Sequence, residues 1–132
     1  MAGLLKAYLR ACAGKRFAYG DLDCGLFLAD WIEIVRGFDP AADLRGRYRR
    51  LADVPGIDRL GGLLAVLSDL ARASGLRTTR KAVPGDVALI RIAEGPAVGA
   101  IRGARGWFVL AEGGGISCTP VARVVKAWAL DA

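Results

Sequence analysis

The sequence contains no histidine. Histidine titrates nearest neutral pH and is the commonest general base and metal ligand in protein sites. Cysteine is scarce as well, with Cys12, Cys24 and Cys118 alone. An odd count with no CxxC spacing excludes a disulfide framework, and with histidine missing it argues against a zinc centre. Long apolar runs are lacking too. Lys6 and Arg10 interrupt the apolar stretch near the start, and no run reaches the ~18 residues of a membrane-spanning helix. The expectation is a domain in solution with no membrane span, no secretory signal peptide, no metal and no cofactor.

What is present suffices for one core. Of 132 residues, 54% are hydrophobic and 24% charged, which excludes disorder and fits a single domain over 1–132. The formal charge is +6, and 15 of the 19 basic residues are arginine. Such a balance raises the question of nucleic acid. The arginines are spread along the chain, and the one dense group, Arg45, Arg47, Arg49 and Arg50, has only Tyr48 among it as a stacking side chain. An Arg-rich soluble surface, or docking to an acidic protein, accounts for it as well. No nucleic-acid partner is expected.

Apolar side chains at Leu4, Leu5, Tyr8, Leu9 and Cys12 recur at helical spacing and predict a helix over residues 3–13, ended by Gly14. A second helix is predicted from the cap Asp23 to Gly37, apolar except for a stripe of Asp30, Glu33 and Arg36, and therefore buried. Asp39-Pro40 predicts a short helix running to about Leu51. Residues 57–74 predict a third amphipathic helix, with Leu60 on its apolar face and Gly61-Gly62 weakening its start. After Pro84-Gly85 the pattern changes to short β-prone runs, VALIRIA, AVGAIRG, GWFVLAE, GISCTP and VVKAWAL, divided by Gly-rich turns. Helices followed by strands predict an α+β fold, with N-terminal helices packed on a C-terminal antiparallel sheet of four to six strands.

Cys24 is the one site-like residue. It opens the buried helix, where free N–H groups and the helix dipole favour a thiolate and lower its pKa. Gly25 beside it would let a substrate backbone approach. Two readings stand side by side: a nucleophile, or the first buried residue of a core helix.

The segment Phe17, Tyr19, Gly20, Asp23, Cys24, Gly25, Leu26 resembles the NlpC-type cell-wall cysteine peptidases, a papain-like family. Pro84, Gly85, Asp86 and Val87 match that family's Pro-Gly-Asp entry into its first strand, and Ala97-Val98-Gly99-Ala100 matches its next strand. More narrowly, with Ala127-Trp128 and the segment Arg45-Gly46-Arg47-Tyr48, the chain resembles an NlpC-related family found among tail genes of phages, prophages and gene transfer agents. The resemblance implies a papain-like NlpC-type fold, Cys24 in the nucleophile's place, and a cleft lined by Tyr19, Asp23 and Gly25.

One departure governs the functional expectation. The family's general base is a histidine where this chain has Ala97. Alanine neither accepts the thiol proton nor returns it to a leaving amine, and loss of a general acid–base typically costs about 10²–10⁴-fold in rate. Of the carboxylates, Asp23 reads as a cap and Asp86 as a turn residue, while Glu112 is placed by the pattern near the cleft. A carboxylate of ordinary pKa is a poor base for a thiol and raises the thiol's own pKa. The implied function is a structural component of a phage or phage-like tail tip or baseplate. It would be assembled in the host cytoplasm, carried in the virion among other tail proteins, and built on an inactive peptidase scaffold. Two alternatives remain: a peptidoglycan hydrolase using Cys24 with a carboxylate or a partner's base, and a module that binds muropeptides or peptides.

Overall fold

The computed structural model describes residues 2–111 and 113–131. The first helix, α1 (Ala2–Ala13), buries Leu5, Tyr8 and Cys12, the stripe its spacing predicts. The second, α2 (Cys24–Arg36), starts at Asp23, whose side chain accepts from the Gly25 and Leu26 N–H groups. It stops at Gly37, where φ is +74° and the cap N–H returns to the Glu33 carbonyl. Only glycine takes that left-handed turn at little cost. Between these ends Leu26, Phe27, Leu28, Ala29, Trp31 and Ile32 are all buried, so α2 is the central helix of the core.

The region after α2 departs from expectation. The short helix predicted over 39–51 is absent. Residues 40–46 form consecutive turns, and only a 3₁₀ turn at Leu51–Asp53 is helical. Asp39 does accept the Ala41 N–H, as a cap would, but both its carboxylate oxygens also bind Arg45. Gly46, at φ +74°, then breaks any helical path. The last helix, α3 (Leu63–Ala73), starts about six residues later than its apolar pattern suggests. Gly61 and Gly62 both take positive φ, and Leu60, expected on the apolar face, is fully exposed. A backbone bend at two glycines outweighs side-chain periodicity.

Six strands follow: β1 (Arg77–Thr79), β2 (Val87–Arg91), β3 (Ala97–Arg102), β4 (Trp107–Leu110), β5 (Ile116–Thr119) and β6 (Arg123–Ala129). The five longer ones lie on the five predicted runs, whereas β1 carries no alternating signal and was not predicted. The sheet has the order β1-β6-β2-β3-β4-β5 with every pair antiparallel. The fold class is therefore α+β, helices against a six-stranded antiparallel sheet.

Side chains alternate across a strand, so each strand feeds two faces. Val87 and Leu89 of β2, Ile101 of β3 and Trp128 of β6 join Phe27, Trp31 and Leu67 in the main core between sheet and helices. Ala88, Ile90, Ala100, Trp107, Val109 and Ala127 form a second cluster on the opposite face. The two clusters explain why β2 is buried on both sides. Two polar anchors tie the core to the sheet's entry turn. Trp31 Nε1–H donates to the Gly85 carbonyl at 2.8 Å. Asp86, 3% exposed, accepts from the Val83 and Leu130 N–H groups, which closes the Pro84-Gly85-Asp86 turn against the last strand.

Candidate functional site

The loop before α2 is built to present the helix tip. Ala18 and Leu22 pair across a tight turn, and Gly20 takes φ +85° at its apex. The Gly20 carbonyl accepts the Gly46 N–H at 2.7 Å, and a Cβ on Gly20 would strike the Tyr48 carbonyl. Glycine is required there by conformation and by space together.

Asp23 organises this junction. Its Oδ1 accepts the Gly25 and Leu26 N–H groups, each at 3.0 Å, and its Oδ2 accepts the Gly20 N–H at 3.0 Å and the Tyr48 hydroxyl at 2.6 Å. Both oxygens of a side chain only 4% exposed are thus occupied. The capping role read from sequence holds, and the structure adds a partner that sequence reasoning missed. Tyr48 is buried beside Asp23, and burial first, then the hydrogen bond to Asp23, drives its hydroxyl pKa far up, so it stays a donor. No local sequence signal links positions 23 and 48. In sequence Tyr48 reads only as a stacking side chain in the arginine group and as part of the Arg-Gly-Arg-Tyr resemblance.

Cys24, partly exposed, lies at the first turn of α2 with β3 close above it. That closeness depends on Gly99. A Cβ added there would sit 2.7 Å from the Cys24 carbonyl oxygen and 3.0 Å from Leu28 Cδ1. Gly25 makes no such demand, because a methyl there would meet Asp23 Oδ1 at 3.5 Å and Leu67 Cδ2 at 3.8 Å, ordinary contacts. Within the chain, the glycine that close backbone approach demands is therefore Gly99.

The thiol's electrostatics also correct an expectation. Burial raises the Cys24 pKa, and the Asp23 carboxylate adds to the rise. The Gly99 backbone and the helix-tip amides of Cys24 and Gly25 act in the lowering direction and are outweighed. A helix N-terminus favours a thiolate, and apolar burial opposes it. Here the tip is packed under a strand and beside an anion.

Ala97 begins β3, half-buried, and packs against the helix-side core. Two residues along the same strand, Gly99 meets Cys24. Positions 97 and 99 share a face, so the methyl of Ala97 points to the side of the sheet that covers the helix tip, about 7 Å along the strand from Gly99. Tyr19 borders the hollow beside Cys24, together with Asp23, Gly25 and Tyr48, and its ring meets Phe17 edge-on at 5.0 Å. The structure thus brings Cys24, Asp23, Gly25 and Tyr19 to one place. Glu112 lies outside the described residues.

The hollow itself is nearly filled. Leu44, Leu51, Val54, Leu63 and Val66 close over it and leave about 20 Å³. That is room for a single water, not for a peptide. The arginine group above it is only partly a surface feature. Arg45 is held between Asp30 at 2.6 Å and Asp39 at 2.9 Å, and Arg50 pairs with Asp53. Arg45 pulls the Asp39 carboxyl below its ordinary value, while burial raises that of Asp30. Among the described residues, no group of acidic or cysteine side chains is arranged to hold a metal ion. No described helix is long and apolar enough to cross a membrane.

The chain belongs to the DUF6950 family, a domain of unknown function, which matches residues 2–130. No curated protein and no solved structure matches it.

Proposed function

We propose that the chain is a non-catalytic structural domain of a phage or phage-like tail tip or baseplate, an NlpC-type papain-like scaffold that retains the nucleophile's place and lacks the base. A single observation carries the non-catalytic part: position 97, on the face of β3 that covers the tip of α2, bears a methyl group, and the sequence holds no histidine to replace it. Three features support it. Burial and Asp23 hold the Cys24 thiol protonated at neutral pH. Both Asp23 oxygens are engaged by four donors, which leaves that carboxylate no lone pair aimed at the sulfur. The hollow beside Cys24 is too small for a substrate chain.

The scaffold reading rests on the order of short motifs, Phe17 to Leu26, Pro84 to Val87 and Ala97 to Ala100, and the tail context on the narrower resemblance that adds Arg45-Gly46-Arg47-Tyr48 and Ala127-Trp128. Retention of a scaffold does not imply retention of its chemistry. In this reading the partners are other tail proteins, the location is the assembled particle, and peptidoglycan is met without being cut.

Two experiments test the reading. Purified peptidoglycan incubated with the wild-type chain should release no muropeptides, and Cys24→Ser should behave identically. Release by the wild type that Cys24→Ser abolishes would establish the hydrolase instead. Mass spectrometry of purified particles should find the chain at fixed stoichiometry. Its recovery only in the particle-free fraction would remove the tail assignment while leaving the non-catalytic reading intact.

A further inference from the structure

The sheet's far edge is incompletely covered. Strand β6 runs from Arg123 to Ala129, but β1 pairs only with Ala127, Trp128 and Ala129. After Thr79 the chain turns away, with the Lys81 N–H donated to Thr79 Oγ1 at 3.1 Å. On that side no described strand lies beside residues 123–126 of β6. Such an edge presents backbone donors and acceptors to a neighbour, interrupted by a bulge at Val125, which has no counterpart between Leu89 and Ile90.

A groove of about 730 Å³ opens where β1 ends. Its lining includes Thr79, Arg80, Val125 and Lys126 near the edge, and Arg102 and Trp107 across the sheet. Three cations line it and no acidic residue does. Among the described residues none of the three forms an ion pair, whereas Arg45, Arg50, Arg59, Arg72 and Arg77 all do. Arg102 lies over the Trp107 ring at 5.4 Å and Lys126 over the Trp128 ring at 6.0 Å, so aromatic faces hold both heads without neutralising them. Val124 and Val125, next to Lys126, are 44% and 38% exposed.

Charged residues on an edge strand commonly serve only to keep other chains away. That role needs no cavity, and it does not account for a groove at the edge lined by three cations from β3, β6 and the turn after β1 with no acid among them. Uncompensated positive charge, exposed β-branched side chains and an uncovered strand edge together select a definite occupant. We propose that an acidic, extended segment of another protein adds beside residues 123–126 of β6. Its carboxylates would meet Arg80 and Arg102 on the open face and Lys126 on the helix-side face of the strand edge, and its apolar side chains would rest on the exposed valines. The backbone supplies affinity and the three cations supply selection. This inference is independent of the fate of Cys24, which packs against Gly99 of β3 and not against the β6 edge.

The test is fluorescence anisotropy with a short fluorescein-labelled peptide of glutamate and valine. The peptide should bind the full chain. Replacing its glutamates by glutamine, or introducing Arg80→Glu with Lys126→Glu, should each weaken binding by about tenfold or more. Methylating alternate backbone nitrogens of the peptide should abolish binding, because edge pairing needs those N–H groups. Undiminished binding of the methylated peptide overturns the proposal in favour of a plain polyanion site. Failure of the wild-type chain to bind the unmodified peptide, or tighter binding of single-stranded DNA at the same groove, overturns it outright. The peptide series uses the wild-type chain throughout, so a folding defect in the double variant leaves the outcome decided.

Discussion

On the helix side of the sheet, Val87, Leu89, Ile101 and Trp128 pack against Phe27 and Trp31 of α2. On the other side, Ala88, Ala100 and Ala127 present methyl groups, and the sheet opens beyond Ala127 and Trp107 into a groove of about 730 Å³. The hollow beside Cys24, on the helix side, holds about 20 Å³. Packing decides the difference: side chains from sheet and helices fill the hollow at Cys24, whereas beyond the buried cluster of Ala88, Ile90, Ala100, Trp107, Val109 and Ala127 the edge where β1 ends stays open. The hollow that touches Cys24 thus has no room for a ligand, and a separate hollow of about 390 Å³ opens nearby between Tyr19, Gly20, Asp21, Arg45 and Arg49. The groove by β6 carries no recognisable motif. Chemistry-bearing residues and accessible space are separate properties, and only their coincidence makes an active site.

The largest test of this contrast removes a tryptophan from each face. Trp31→Ala deletes a fully buried ring and its hydrogen bond to Gly85. The expected loss is about 3–5 kcal/mol in urea unfolding, because the surrounding core cannot collapse into the void. Trp107→Ala removes a ring that borders the groove. Water enters that space, so the loss should be smaller by about 1 kcal/mol or more. Equal losses would show that the two faces are equally packed.

Next in size is Asp23→Ala, which removes the acceptor for two cap amides, the Gly20 N–H and the Tyr48 hydroxyl. Loss of a cap plus stranded buried donors gives about 2–4 kcal/mol. Loosening of the 44–50 loop against α2 should accompany it, read as faster amide exchange at Gly46. Unchanged exchange there would show that the loop is held without Asp23. Below it comes Gly99→Ala, at about 1–3 kcal/mol. The added methyl meets the Cys24 carbonyl and forces β3 away from the helix tip. Gly25→Ala, in ordinary contact only, should cost under about 1 kcal/mol on helix-propensity grounds or even stabilise. Reversal of that order would mean that α2 and β3 are not in close contact.

How much of this was legible in the sequence varied with the length over which a signal repeats. The cap at Asp23, the buried length of α2 and five strands were readable, because each rests on local periodicity or on a residue with one dominant role. The helix expected over 39–51 failed because Arg45 binds back to Asp30 on α2, a tertiary contact that propensity does not see. Strand β1 was missed because three residues, mostly polar, carry no alternation and pair only once β6 is in place. At the site, the residue types were readable and their energetics were not. The thiol's raised pKa follows from the strand packed over it, and Tyr48 reaches Asp23 across 25 residues of sequence.

The smallest expected effect concerns that thiol and separates a protonated core cysteine from a poised nucleophile. The folded chain holds the Cys24 pKa above that of the unfolded chain, where the thiol titrates near ~8.5. The contribution of the neutral thiol to stability is therefore complete below that value. It declines as pH rises, because the unfolded state releases its proton first, and the decline continues until the folded thiol ionises in turn. Its slope cannot exceed about 1.4 kcal/mol per pH unit. Cys12, also raised, contributes a decline of its own, so the useful quantity is the difference between wild type and Cys24→Ala in urea unfolding at neutral and alkaline pH. That difference should shift in favour of the variant between pH 7 and about 9.5. The same thiol should label with iodoacetamide far more slowly than exposed Cys118 at neutral pH. A shift of opposite sign, with rapid neutral labelling of Cys24, would mean that the helix-tip amides outweigh burial after all. The closed face would then carry a reactive thiolate, and the contrast between the two faces would fail at its chemically most important point.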